Sequence, residues 1–395
     1  MSIKILHINF SDSGGAAVAS MTLHEELLKT GLSSKYLALN LTNNHPKDKQ
    51  YYSHRRIYKS VFEKTWYLYI KAALIRNKNN SLLSKIPPVQ NEILSSPYST
   101  FDLTKDPLYQ EADLIHFHFV ANFLDHPSFF KKNKKPIIWT LHDRNPFSGL
   151  LHCKTGFPTS AQNIESTFIQ KKKEWFKNNN ITIVSPSNEY KTACLKSPVF
   201  QNCSHKVIHH GIPDEIFFPI KKEEIRIKHG LPNNKKIVLS VATDINRKLK
   251  GFEEILTTAK KKTDIIFILV GTKSKQIEEI PNIIYTGQID DRSILNEWYN
   301  CADVTISNSV EESFGLSIAE SLKTGTPIIM RKTGLSYDII SKENGMVFEG
   351  NLMDVLNDSL TVHYSKEKII NSVKNNLDIK KCSKEYIAIY EKLFF

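Results

Sequence analysis

At 395 residues the chain is longer than a single compact core usually organises, so two domains are expected. Hydrophobic residues make up 41% and charged residues 24%, a balance ordinary for a soluble globular protein and without the mark of disorder. The formal charge of +12 and pI near 9.2 point to negative partners (phosphorylated small molecules, anionic lipid surfaces or nucleic acid) or to a generally lysine-rich surface, and charge alone does not choose among these.

The five cysteines, Cys153, Cys194, Cys203, Cys301 and Cys382, contain no CxxC pair. An odd, scattered set argues for a reducing compartment rather than a disulfide framework. The start, MSIKILHINF, lacks the features of a signal peptide. No apolar run reaches the roughly 18 to 20 residues that span a bilayer. A cytoplasmic location is expected.

Residues 3–10, IKILHINF, read as a buried strand. The turn Ser11-Asp12-Ser13-Gly14-Gly15 follows, and then the helical stretch AAVASMTLHEELLKTG. Strand, glycine turn and helix open a doubly wound α/β unit. Further strands are expected at Ser34–Leu41, Leu114–Phe119, Pro136–Leu141, Ile181–Ser185 and Lys206–His209. A second series begins after Pro219, with strands at Lys236–Ala242, Ile265–Gly271, Ile283–Gly287, Val304–Ser307 and Pro327–Arg331, and helices at Phe252–Lys260 and Leu316–Lys323. The alternation predicts two largely parallel sheets in two Rossmann-like domains, residues 1–217 and 218–372. Residues 373–395 end in an amphipathic helix, Ser383–Phe395, expected to pack back on the first domain. One stretch departs from the alternation. His54–Asn77 is basic, aromatic and helical in pattern, with Tyr58, Phe62, Trp66, Tyr69, Ile70 and Ala73 near one face and Lys59, Lys71 and Arg76 beside them. It reads either as a face packed on its own domain or as a surface for an anionic membrane.

The segment richest in chemistry is Ser307–Met330, SNSVEESFGLSIAESLKTGTPIIM. A strand ends near Ser307, and a helix begins around Phe314–Gly315. Free amides at a helix start suit an anion such as a diphosphate, and Gly315 permits close backbone approach. Glu312 precedes the helix and Glu320 lies inside it, placed to accept hydrogen bonds from sugar and ribose hydroxyls. Read without its neighbours, the same pair is a charged, capped helix.

EESFGLSIAESLKTGTPII resembles the signature of glycosyltransferase family four, whose members have the two-domain GT-B fold with two Rossmann-like domains facing across a cleft. The hallmark is Glu, seven residues, Glu, around an inner Phe-Gly-Leu. The resemblance implies that Glu312 contacts the donor sugar, that Glu320 contacts the nucleotide ribose, and that the amides around Phe314, Gly315 and Leu316 meet the diphosphate or sugar. It extends along the chain. Asp12-Ser13-Gly14-Gly15-Ala16 is similar to the family's first glycine loop, which implies that Gly14 and Gly15 lie near the donor diphosphate and the acceptor. Ile115-His116-Phe117-His118 resembles the HxH strand end, and Trp139-Thr140-Leu141-His142-Asp143 the TxH motif. By that resemblance His142, rather than His116 or His118, stands beside the transferred sugar. His210 occupies a position where relatives commonly have Asn.

Relatives also carry an Arg shortly before a Lys-Gly pair, the cations that meet the leaving diphosphate. Here the string is Asp244-Ile245-Asn246-Arg247-Lys248-Leu249-Lys250-Gly251. Lys250 matches the Lys, the Arg position holds Ile245, and Arg247 is the nearest substitute. WTLHDRNPFSG is similar to a stretch of colanic-acid-type and O-antigen enzymes, so the implied branch is cell-surface polysaccharide assembly. His152 and Cys153 are too few for a structural zinc, and no metal or other cofactor is expected. The implied reaction is retaining transfer of a sugar from a nucleoside diphosphate to a hydroxyl of a glycan or lipid-linked glycan, on the inner face of the cytoplasmic membrane. His142, Glu312 and Lys250 are its expected catalytic residues. A GT-B-fold sugar-nucleotide epimerase and a non-catalytic binding module of an assembly complex remain as alternatives. No recognition motif supports a nucleic-acid partner.

Overall fold

A computed structural model describes residues 3–54, 65–87 and 94–394. They form two compact units, one running to Ile208 and resuming at Ser383, the other His209–Cys382.

The first unit is built on a seven-stranded parallel sheet. Its strands are β1 (Lys4–Ser11), β2 (Ser33–Asn40), β3 (Tyr51–Ser53), β4 (Leu114–Phe117), β5 (Ile137–Thr140), β6 (Ile181–Ser185) and β7 (Ser204–Val207), in the order β3-β2-β1-β4-β5-β6-β7. The central strands are buried along their whole length, as LIHF in β4 and IIWT in β5 show, because helices cover both faces of a parallel sheet. Phe117, Phe129, Phe130, Trp139, Phe176 and Phe200 interlock on one side, with the Phe130 and Phe176 rings 4.2 Å apart. The helix Ile379–Lys392 returns to this unit. Its Tyr390 hydroxyl lies 2.8 Å from His116 Nδ1, and its Tyr386 hydroxyl 2.8 Å from Thr140 Oγ1.

The second unit carries a six-stranded parallel sheet of β8 (Ile237–Asp244), β9 (Ile266–Thr272), β10 (Ile283–Gly287), β11 (Val304–Ser307), β12 (Ile328–Arg331) and β13 (Gly345–Phe348), in the order β10-β9-β8-β11-β12-β13. Leu239, Ile268, Phe314, Ile318 and Ile328 fill the core on one side of it, and Val238, Phe252, Phe267 and Ile306 on the other.

The two edge strands β3 and β13 are additions to the elements expected from the sequence. Each is three or four residues long and pairs on one side only, too short to show a period. The last helix starts at Ile379, four residues before its expected start. Of the basic aromatic stretch, Tyr58, Lys59 and Phe62 lie outside the described residues, and the chain is helical over Thr65–Leu83.

Both sheets reverse their direction of growth once, between β1 and β4 in the first unit and between β8 and β11 in the second. At such a point the loops leaving two neighbouring strands depart to opposite faces and leave a crevice at the carboxyl ends.

Candidate functional site

In the second unit the loop after β8 meets the loop after β11. Gly251 sits in the left-handed region (φ 67°) against the Asn308 carbonyl, where a Cβ would collide with backbone. Asn308 Nδ2 donates to the Gly251 carbonyl (2.7 Å), and the Val310 amide donates to the Leu249 carbonyl (2.9 Å). Arg331 holds the other side of Asn308 through its Nε (2.8 Å) and reaches Glu254 (2.5 Å). This docking brings Lys250 to Glu312, with Nζ 2.5 Å from Oε1 and both side chains partly exposed. The Glu312 backbone is fixed as well, its amide donating to Thr333 Oγ1 (2.9 Å).

The helix Leu316–Lys323 begins just beyond. Gly315 precedes it at φ 103°, and no side chain caps it. Phe314 is buried in the core, edge-on to His210, so it offers the site backbone rather than its ring. Glu320 is buried within the helix. Its Oε2 accepts from Tyr299 (2.9 Å) and its Oε1 from Arg292 (3.1 Å). Burial raises its carboxyl above the ordinary range, against the lowering pull of Arg292 and Tyr299. Glu320 is therefore a held carboxylate, and a ribose would have to use its remaining lone pairs.

Ile245 is buried in the core beside Gly271. Arg247 precedes the short turn Lys248–Lys250, is partly exposed, and makes no ion pair among the described residues.

In the first unit Gly14, at φ 85°, precedes the helix Gly15–Lys29, with open space where its side chain would be and no side-chain cap. Asp12 anchors the loop. It accepts from the Thr42 amide (3.0 Å), the Asn43 amide (2.9 Å), Thr42 Oγ1 (2.8 Å) and His45 (3.0 Å). Burial would raise its carboxyl, but these hydrogen bonds hold it at about 2. His142, half-buried, follows β5. Burial pulls its pKa down to about 4 against the pull of Asp143, so the ring is neutral at physiological pH. The next loop is pinned by His152, which bonds Asp143 (2.6 Å) and Ser95 (2.8 Å), and by buried Lys172 on the Asn145 carbonyl.

Three buried histidines, His7, His116 and His118, bring ring nitrogens within 4.8 Å of one another, which raises the question of a metal. Five of their six ring nitrogens are engaged, His7 Nδ1 with His118 Nε2 (2.9 Å), His118 Nδ1 with His142 Nε2 (3.1 Å), and His116 with Tyr390 and Thr140 (2.8 Å each), and His7 Nε2 has no partner among the described residues. An ion would have to break hydrogen bonds inside a closed core, so the donor set fits a hydrogen-bonded cluster better than a metal centre.

Asn308, Thr333, Arg292 and Tyr299 support the site and were not singled out from the sequence. Each acts across a gap of tens of residues, a relation no local pattern carries. Two cavities of the second unit are lined by neither Lys250, Glu312 nor Gly315. One, about 450 Å³ and lined by Lys235, Lys260, Ile266, Glu278, Asn282 and Ile284, sits at the starts of β8, β9 and β10, opposite the strand ends. The other, about 300 Å³, includes Arg292 and Asn296.

Residues 221–377 match the family model described as glycosyl transferases group 1. The chain is 25% identical over 200 residues to glycogen synthase from Clostridium botulinum, covering 44% of this chain and 42% of that protein. It thus spans less than half the length of that relative. Over 99% of both chains it is similar in structure to sucrose-phosphate synthase from Thermosynechococcus elongatus, with a TM-score of 0.72 and 17% identity. The Anabaena protein HepE, solved in complex with UDP and glucose, gives a TM-score of 0.67 at 14% identity, covering 99% of this chain and 100% of that one. These likenesses show the fold, two Rossmann-like domains of the GT-B type.

Gly251→Ala combines left-handed strain with a backbone collision and is expected to destabilise by about 2 kcal/mol or more. Gly230→Ala, at φ 65° with nothing within 4 Å of the added methyl, meets only the strain, about 1 kcal/mol. Thermal denaturation of both variants checks the difference, and equal losses would refute the docking role given to Gly251. The buried histidines predict a pH effect. Burial holds His7, His116 and His126 well below their ordinary value and His24 and His142 at about 4, so the folded form binds fewer protons than the unfolded chain. Their stabilisation is full above about pH 6.5 and is lost as pH falls through the window down to the folded values, at up to about 1.4 kcal/mol per pH unit for each ring. Urea midpoints should fall from pH 7.5 to pH 5, and a flat series would contradict the assignment.

Proposed function

We propose that the protein is a glycosyltransferase that moves a sugar from a nucleoside diphosphate to a hydroxyl acceptor, with the donor held by the second unit. The observation that carries this reading is the meeting of Lys250, Glu312 and the uncapped start of the helix Leu316–Lys323 at the carboxyl ends of β8 and β11. The match of residues 221–377 to group 1 glycosyl transferases supports it.

The chemistry follows from charge. Breaking the sugar–phosphate bond leaves negative charge on a diphosphate, which preorganised donors must stabilise. Helix amides at Gly315 and Leu316 supply fixed partial positive charge. Arg247, which makes no ion pair among the described residues, supplies a guanidinium. Lys250 is held by Glu312 and so is oriented in advance, at the cost of part of its net charge. Glu312 and Glu320 orient the donor rather than attack it. In the first unit, Gly14, Gly15 and His142 are proposed to take the roles expected for them from the sequence. The outcome proposed is retention, without a metal.

The acceptor proposed is a glycan or lipid-linked glycan of cell-surface polysaccharide assembly, following the WTLHDRNPFSG stretch. Peripheral membrane contact accompanies it. No described helix is long and apolar enough to cross a membrane. The helix Thr65–Leu83, however, exposes Ile70 (42%) and Leu74 (64%) one turn apart, close to Lys71 and Arg76.

UDP-, GDP- and ADP-sugars tested by thermal shift and calorimetry should yield at least one ligand, and HepE makes a UDP-sugar the first to try. With that donor, Arg247→Ala and Glu312→Ala should each lower kcat by about 100-fold. Binding of none of these donors would contradict the proposal, and interconversion of the donor sugar without acceptor would favour an epimerase. Leu74→Glu should reduce cosedimentation with vesicles containing anionic lipid while leaving the melting temperature unchanged. Equal sedimentation of both proteins would remove the membrane contact.

A further inference from the structure

Lys250 and Glu312 are proposed above to meet two different parts of a donor, the cation its diphosphate and the carboxylate its sugar. In the structure they meet each other, with Nζ 2.5 Å from Oε1. Their side chains are 27% and 17% exposed, and among the described residues each is the other's sole ion-pair partner. Both backbones are fixed. The Lys250 amide donates to the Arg247 carbonyl (2.9 Å), and the Val310 amide to the Leu249 carbonyl (2.9 Å). The Glu312 amide donates to Thr333 Oγ1 (2.9 Å), and Gly334 lies so close that an added Cβ would stand 3.2 Å from Glu312 Cβ. The loops therefore keep ammonium and carboxylate within reach of each other, and rotation of the flexible Lys250 stem is what opens the pair.

Such a pair sets a condition on the ligand. A diphosphate that draws Lys250 away takes the cation from Glu312 and brings its own negative charge beside a carboxylate. Both effects oppose binding. A sugar joined to the diphosphate changes the balance, because its hydroxyls donate to the carboxylate that has lost its partner. The nucleoside diphosphate left after transfer has no sugar at that end. It breaks the pair and offers Glu312 nothing in its place.

We propose that the Lys250–Glu312 ion pair is a latch that discriminates the sugar nucleotide from the spent nucleotide: it opens for a ligand carrying both an anion and sugar hydroxyls, and its closing favours release of the nucleoside diphosphate. The proposal rests on the reading of the second unit as the donor site. Lys250 by itself would attract both ligands, and Glu312 by itself would repel both. The selectivity lies in the coupling between them. A lysine suits this exchange, being a point charge on a flexible stem rather than a rigid fork.

Calorimetry on the full chain tests this with UDP and UDP-glucose, GDP and GDP-mannose, and ADP and ADP-glucose. The matched pair that binds is carried into Glu312→Gln, Lys250→Met and the double variant, each checked for folding by thermal denaturation. The wild type should bind the sugar nucleotide more tightly than the nucleotide. Glu312→Gln should tighten the nucleoside diphosphate about fivefold without tightening the sugar nucleotide. In the Lys250→Met background the same change should tighten it by under about twofold, the remainder being screened repulsion. Equal tightening in the two backgrounds overturns the latch, since repulsion by Glu312 is then the whole effect. An unchanged preference in Glu312→Gln overturns it as well. If Glu312→Gln does not fold, Glu312→Asp takes its place: it keeps the charge but draws the carboxylate back by one methylene, and nucleotide affinity equal to the wild type's would overturn the latch. A wild type that binds none of these ligands sinks the donor-site reading and the latch with it, whereas binding without coupling sinks the latch alone.

Discussion

Everything proposed for this protein depends on a constraint of parallel sheets: where strand order reverses, the outgoing loops part and the carboxyl ends are left open. The first sheet reverses between β1 and β4, and the second between β8 and β11. Residues that share no local pattern are gathered there. Gly14, His116 and His118 come from the first reversal, with His142 one strand further along. Lys250, Glu312 and Gly315 come from the second. The hydrophobic core decides this placement, because strands buried on both faces cannot change partners without exposing Ile, Val and Phe side chains.

Within the second unit one small residue sets the geometry. Gly251 lets the loop after β8 lie directly on the Asn308 backbone, and that approach delivers the Lys250 ammonium to Glu312. The pairing alters what each residue offers. Lys250 is a cation already partly neutralised and oriented, whereas Arg247 makes no ion pair among the described residues. Glu320, read from the sequence as a carboxylate facing ribose, is engaged by Tyr299 and Arg292 in the closed packing between two helices.

The periodic, strongly apolar elements were legible in the sequence. Ile181–Ser185, Ile283–Gly287, Val304–Ser307 and Leu316–Lys323 fall at the bounds read from it, because short apolar runs set between polar segments leave a local mark. Tyr51–Ser53 and Gly345–Phe348 left none, being short edge strands whose identity comes from the neighbour they pair with. The site divides in the same way. Glu312, Gly315 and Lys250 stand in short motifs and could be read directly. The Arg331–Asn308–Glu254 support, the Thr333 contact to Glu312 and the chain His7–His118–His142 could not, since each joins residues that only the folded sheet brings together.

The central claim is that the second unit binds a nucleoside diphosphate at the carboxyl ends of β8 and β11. A crystal structure of the full chain grown with UDP, GDP or ADP measures this directly. Diphosphate oxygens are expected within hydrogen-bonding distance of the Gly315 and Leu316 amides and the Arg247 guanidinium, with Gly251 still against Asn308. A nucleotide ordered elsewhere, such as in the cavity between Lys235 and Asn282 at the opposite ends of the strands, would contradict it.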